Sequence, residues 1–251
     1  VVLQLPWLAL WIIGDGARGL AIVLGLSVAI AIVALWRPRP RRAGWPRWRS
    51  DRRALLGVYV RALRRRATDA LVRGVGLAVL GGLVAGLMVR NNALVGERGG
   101  PLGAGVIAIV LVPGWVGALL PLVDAHRASA WLAASLGISA VARAAVLAVA
   151  VAGVYLVGVA IAVAASAALI APITVAWLAL VALTTTLGIA LTTARAVVRA
   201  ERDPTSAASR VVTGAIVASA LAVICLAWLG AVGAPLMLTI GVCALLTARP
   251  A

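Results

Sequence analysis

Long apolar runs, separated by short stretches that carry arginine, dominate the chain. They occupy residues 1–13, 20–36, 70–89, 104–123, 144–171, 173–194, 211–229 and 231–248. A helix needs about 20 apolar residues to cross a hydrocarbon core of about 30 Å, because each residue rises about 1.5 Å. Segment 1–13 is short for a span, as expected of a longer protein whose start is missing. Pro172 divides what would otherwise be one overlong helix, since proline has no N–H for the hydrogen-bond ladder. Gly230, Gly233 and Pro235 predict a tight hairpin between the last two segments, and Pro235 makes the final segment a candidate for partial re-entry. The predicted fold class is an all-α, polytopic helical membrane protein: a six-span bundle preceded by an amphipathic interfacial helix and a truncated helical hairpin. Composition agrees: of 251 residues, 64% are hydrophobic and only 12% charged, which excludes an ordinary water-soluble domain.

Charge then supplies direction. Every one of the 23 basic residues is Arg, against 7 acids, for a net charge of +16. With the spans alternating, one side receives the arginines of 37–73, 124–143 and 195–210 together with Arg249. The other receives Arg18, Arg90 and Arg98. The positive-inside rule makes the first side cytoplasmic, with the carboxyl terminus on it. So distributed, the positive charge reads as topology rather than as a nucleic-acid surface.

Residues 37–48 carry three prolines and predict an extended connector. Ser50 or Asp51 then caps a helix running to about Ala67. On its wheel Leu56, Tyr59, Val60, Leu63 and Ala67 share one face. Arg61 and Arg65 lie opposite, and Arg64 and Arg66 flank the stripe. Such a helix suits the inner leaflet surface, where its arginines anchor topology and attract anionic lipid.

Candidate chemistry is sparse. The one histidine, His126, excludes a histidine metal cluster or catalytic pair. No phosphate-binding loop with its lysine exists. Asp15, Gly16, Ala17 and Arg18 resemble part of the motif of membrane enzymes that handle activated alcohols, but the further aspartates are missing. All seven acids fall in loops or at helix ends, which argues against a proton- or sodium-coupled carrier. Cys225 and Cys243 lie in apolar runs and read as packing residues. Gly82 and Gly86 match a close helix-packing spacing. Thr184, Thr185, Thr186, Thr192 and Thr193 either line a path or satisfy carbonyls of their own helix. Two loops hold more pattern. In the first, Asp124, His126 and Arg127 lead into Trp131 and Leu132, predicting a short helix with Asp124 near its start and an apolar knob. It is either a docking helix for a cytoplasmic partner or an interfacial helix anchored by Trp131. In the second, 195–210, Asp203 and Pro204 start the next helix.

From Ser50 onward the order is an amphipathic helix, two spans, a helical loop, a third and fourth span joined tightly, and two more joined by a proline-containing hairpin. This layout resembles the membrane-spanning permease subunit of ATP-binding-cassette (ABC) transporters of the type-2 exporter class. The resemblance implies that the first helix is the elbow helix (Leu56, Tyr59, Val60, Arg61, Leu63, Arg65). It makes Asp124, His126, Arg127, Trp131 and Leu132 the loop that couples to the ATPase. Trp11 to Gly14 and Trp228 to Gly230, each followed by an apolar span and Arg-Pro, form a weak internal repeat. Residues 1–36 would accordingly be the terminal hairpin of a preceding half, 37–69 the connector and elbow, and 70–251 the six-span permease domain. The second half would be fused or supplied by a homodimer. The implied function is an export permease without its own ATPase motif or cofactor, with ATP and Mg bound by a separate cytoplasmic ATPase dimer. An amphipathic or lipid-like cargo, or a hydrophobic peptide, suits spans without charge. The expected location is the inner membrane, the Ala-, Val- and Gly-rich, lysine-free usage pointing to a GC-rich bacterial source. A non-catalytic scaffold of a larger complex and an ion-coupled secondary carrier are the competing readings.

Overall fold

The computed structural model describes residues 45–91, 99–200 and 207–247, and those residues form helices and turns with no strand. In chain order they are α1 (Trp45–Arg66), α2 (Thr68–Arg90), α3 (Gly99–Ala128), α4 (Ala130–Ser135), α5 (Ala140–Ser166), α6 (Pro172–Ala200) and α7 (Ala207–Leu229). A 3-10 turn at Gly230–Val232 leads into α8 (Gly233–Leu246). The hairpin and connector at 1–36 and 37–44, and the Asp203–Pro204 helix start, lie outside the described residues.

Five stretches are long and apolar enough to cross a membrane: Thr68–Arg90, Gly99–Ala128, Ala140–Ser166, Pro172–Arg199 and Ala207–Leu246. The protein is a multi-pass helical membrane protein. The fifth stretch is not one rod. Gly230 takes a left-handed φ of 59°, a conformation glycine adopts without steric cost. The chain reverses there, bringing the backbone of Gly233 against the Cys225 carbonyl. The predicted hairpin is thus present, but α8 has 14 residues, a rise of about 21 Å, which is less than the hydrocarbon core.

Several boundaries differ from those predicted. α1 begins at Trp45, before Ser50 and Asp51, and includes part of the proline-rich segment. Pro46 falls in its first turn, where a helix has no use for the missing N–H. The α5–α6 break falls where proline requires it, with Pro172 as the first residue of α6. Arg143, placed in a loop by hydropathy, lies inside α5.

Small residues set the packing. α2 lies on α3 and α5, α6 lies on α5, α7 and α8, and α1 packs on α3 and α5. Without a hydrophobic driving force in lipid, close backbone approach and dispersion hold helices together, and glycine permits the closest approach. Gly82 of α2 meets the Ala162 backbone of α5, and Gly86 meets Ser166 and Leu169. The spacing of Gly82 and Gly86 is therefore a packing device here. At the centre, the Trp115 indole of α3 is wedged between Gly74 of α2 and Gly158 of α5. With no Phe in the chain, Trp115, Tyr59 and Tyr155 supply the largest fully buried side chains. Cys225 is buried and free, as a packing residue would be, whereas Cys243 is exposed on α8.

Candidate functional site

The antiparallel helices gather the arginines at one end. Among the described residues, α1, the start of α2, the end of α3, the start of α5, the end of α6 and the start of α7 carry all of them except Arg90. This end is knit by one buried polar node. Tyr59 of α1 is fully buried, and its hydroxyl lies 2.8 Å from Nδ1 of His126 near the end of α3. The ring tautomer decides which of the two donates. The rings are tilted at 40° with centroids 6.1 Å apart.

The backbone of His126 is held as firmly as its ring. Its carbonyl is one of the last of α3 and has no partner within the helix. The Ser129 hydroxyl donates to it at 3.0 Å, and Nη1 of Arg143 donates at 3.3 Å. Arg143 is only 7% exposed, so its charge sits beside the negative end of the α3 dipole, a favourable place for a cation. Four elements meet at this one residue: α1 through Tyr59, α3, the start of α4 through Ser129, and α5 through Arg143.

The residues predicted to form a single coupling helix divide into two groups. α3 runs without a break through Asp124, His126 and Arg127 to Ala128, so Asp124 stands near the end of a helix and not near a start. The dipole there does not favour a carboxylate, and Asp124 is accordingly exposed to solvent. The separate short helix is α4, and it carries the apolar knob: Trp131 is 72% exposed, and Leu132 is half-buried. Gly137, with φ 67°, turns the chain from α4 into α5, and Ser139 accepts a hydrogen bond from Ala142 N at 3.3 Å, capping that helix. Ala133, Ile138 and Ala142 form a small apolar cluster that seats α4 on the start of α5.

The elbow residues divide as well. Leu55, absent from the predicted stripe, is buried with Tyr59 and Ala67, and Leu63 is half-buried against the core. Val60 faces away from the bundle at 54% exposure, on the side of Arg61. Arg65 is exposed as predicted. The missed signal was Leu55 one turn before Tyr59, a spacing that aims both at the same neighbour.

Within the bundle, Thr184, Thr192 and Thr193 donate to carbonyls four residues back at 2.7, 2.9 and 2.8 Å, the role expected of threonine in apolar helices. Thr185, Thr186 and the indole N–H of Trp115 are buried without a hydrogen-bond partner. Among the described residues no group of histidine, cysteine or acidic side chains has the arrangement of a metal site. Comparison with protein families, curated proteins and solved structures yields no match to this chain.

Proposed function

We propose that the chain is the membrane permease subunit of an ATP-driven exporter and couples to a separate cytoplasmic ATPase through α4. The observation that carries this reading is the exposed Trp131 on a short helix at the arginine-rich end, joined at Ser129 to the node that holds α1, α3 and α5. Tryptophan is enriched among the residues that anchor protein interfaces. A push on α4 reaches Ser129 first, then the His126 carbonyl, and through it the ends of two long helices and the elbow. Such a linkage is what alternating access driven by an external motor requires. In this reading the arginine-rich end is cytoplasmic, the bundle has six crossings with α8 as the last, and the cargo is amphipathic or lipid-like.

Two measurements test it. A mild-detergent pull-down with mass spectrometry is expected to recover a soluble ATPase, and Trp131→Ala combined with Arg127→Ala is expected to lose it. A clean preparation without an ATPase defeats the exporter reading and leaves the scaffold and the ion-coupled carrier. Sidedness of the carboxyl terminus tests the sixth crossing. In a chain with Cys225 and Cys243 replaced, Thr247→Cys is expected to react with an impermeant maleimide from the same side as Arg65→Cys. Labelling from opposite sides removes the sixth span.

A further inference from the structure

α1 has a second surface, which the bundle leaves uncovered. Arg53, Leu56, Gly57, Val60, Arg61 and Arg64 line a groove of about 410 Å³ along the face of α1. Their spacing places them within one side of the helix, and Leu55 and Tyr59 face the bundle from the other. Arg53, Gly57, Val60, Arg61 and Arg64 are all exposed, and Leu56 is half-buried. The lining thus combines the apolar Leu56, Gly57 and Val60 with the cationic Arg53, Arg61 and Arg64. Gly57 makes the notch, because a Cβ there would meet nothing within 4 Å.

Its surroundings narrow the occupant. From residue 52 to 66 the helix carries six arginines and no acid, so the groove matches a negative charge. A one-residue break at Ala67 separates α1 from α2, which is apolar enough to span. Arg61 and Arg64 therefore stand within about two helical turns of the start of that span. A ligand that brings one anionic head and one hydrocarbon tail satisfies both parts of the groove. A soluble anion would leave Leu56 and Val60 uncovered, and a neutral lipid would leave the guanidinium groups without a partner.

We propose that this groove is a binding site for an anionic phospholipid of the adjoining leaflet. Arg61 and Arg64 hold the headgroup phosphate, Arg53 adds to the cationic lining, and an acyl chain lies over Leu56 and Val60 in the Gly57 notch. Arginine suits this role because its planar fork presents paired donors to phosphate oxygens. The site is independent of the exporter reading and would serve a scaffold or a carrier equally.

The test is lipid retention measured by native mass spectrometry after release of the whole chain from nanodiscs of equimolar phosphatidylglycerol and phosphatidylcholine. The wild-type chain is expected to keep phosphatidylglycerol selectively. Arg61→Gln with Arg64→Gln is expected to lower that retention by about fivefold per arginine removed. Arg65→Gln with Arg66→Gln removes the same charge from the same end of α1, outside the groove, and is expected to leave retention unchanged. Gly57→Leu fills the notch without touching the core and is expected to lower retention with all arginines present. Equal loss from the two arginine pairs would mean a diffuse surface attraction and overturn the site. Retention unaffected by Gly57→Leu, or full displacement of phosphatidylglycerol by added free glycerol phosphate, would overturn the acyl-chain contact and the lipid assignment with it.

Discussion

Replacing Gly188 with valine is expected to destabilise the bundle by about 3 kcal/mol or more, at the upper end of overpacking costs. A Cβ on Gly188 would stand 2.5 Å from the Met237 carbonyl oxygen of α8, and one on Gly241 would stand 2.5 Å from the oxygen of Gly188 itself. These obstacles are backbone atoms, so no rotamer change relieves them and α6 and α8 must move apart. Because α8 makes its broadest contact with α6, separation strips α8 of its main support. Gly82→Val is expected to act similarly between α2 and α5, where the Ala162 carbonyl blocks the way. Gly153→Ala is the matched control. Its Cβ would meet nothing, and the change removes a glycine from a helix interior, which favours the helix by up to about 1 kcal/mol. Thermal unfolding in one detergent compares the three variants. Equal midpoints for Gly188→Val and Gly153→Ala would show that the α6–α8 crossing is not tightly packed.

His126→Ala is expected to cost about 2–4 kcal/mol and to free α1 from the bundle. The substitution empties a buried volume and breaks the buried hydrogen bond to the Tyr59 hydroxyl, and each of these is destabilising on its own. Tyr59→Phe keeps the ring and removes only the hydroxyl, so about 1–3 kcal/mol is expected from the loss of this buried hydrogen bond. The pair is 67 residues apart in sequence, and the contact ties α1 to the bundle rather than to α2. Detachment is best read by trypsin, because α1 is rich in arginine yet shielded from cleavage while it stays helical and docked. Both variants are expected to speed cleavage within α1, His126→Ala more than Tyr59→Phe, with no change at Arg90. The combined variant should cost less than the sum of the two, since both substitutions remove the same hydrogen bond. Wild-type cleavage rates in His126→Ala would mean that α1 is held by other contacts.

Membrane insertion and the gathering of arginines at one end were legible in the amino-acid sequence. These properties depend on local composition and on strict alternation, and neither requires knowing which helix touches which. The proline at 172 and the glycine at 230 marked chain reversals because their backbone preferences are local too. The limits of α1 and α3 were not legible. Pro46 is tolerated in a first turn, and the polar residues Asp124, His126 and Arg127 continue a helix already formed, so hydropathy ended both elements too early or began them too late.

The pairings were the work of tertiary structure. Among 26 glycines, nothing local distinguishes Gly188, which bears on the α8 backbone, from Gly153, which faces open space. The lone histidine had no assigned partner until α1 folded back over α3. Arg143 looked like a loop charge until the end of α3 presented the carbonyl it caps. The division of α1 into a bundle side and a groove side arose in the same way, because a helix wheel records which residues share a face but not what lies against it. Sequence alone determined that these helices enter a membrane and which end carries the charge, because lipid and water act on each segment separately. Only the tertiary structure decided which small residues become contacts and which polar residues become a node, because those roles exist only between segments.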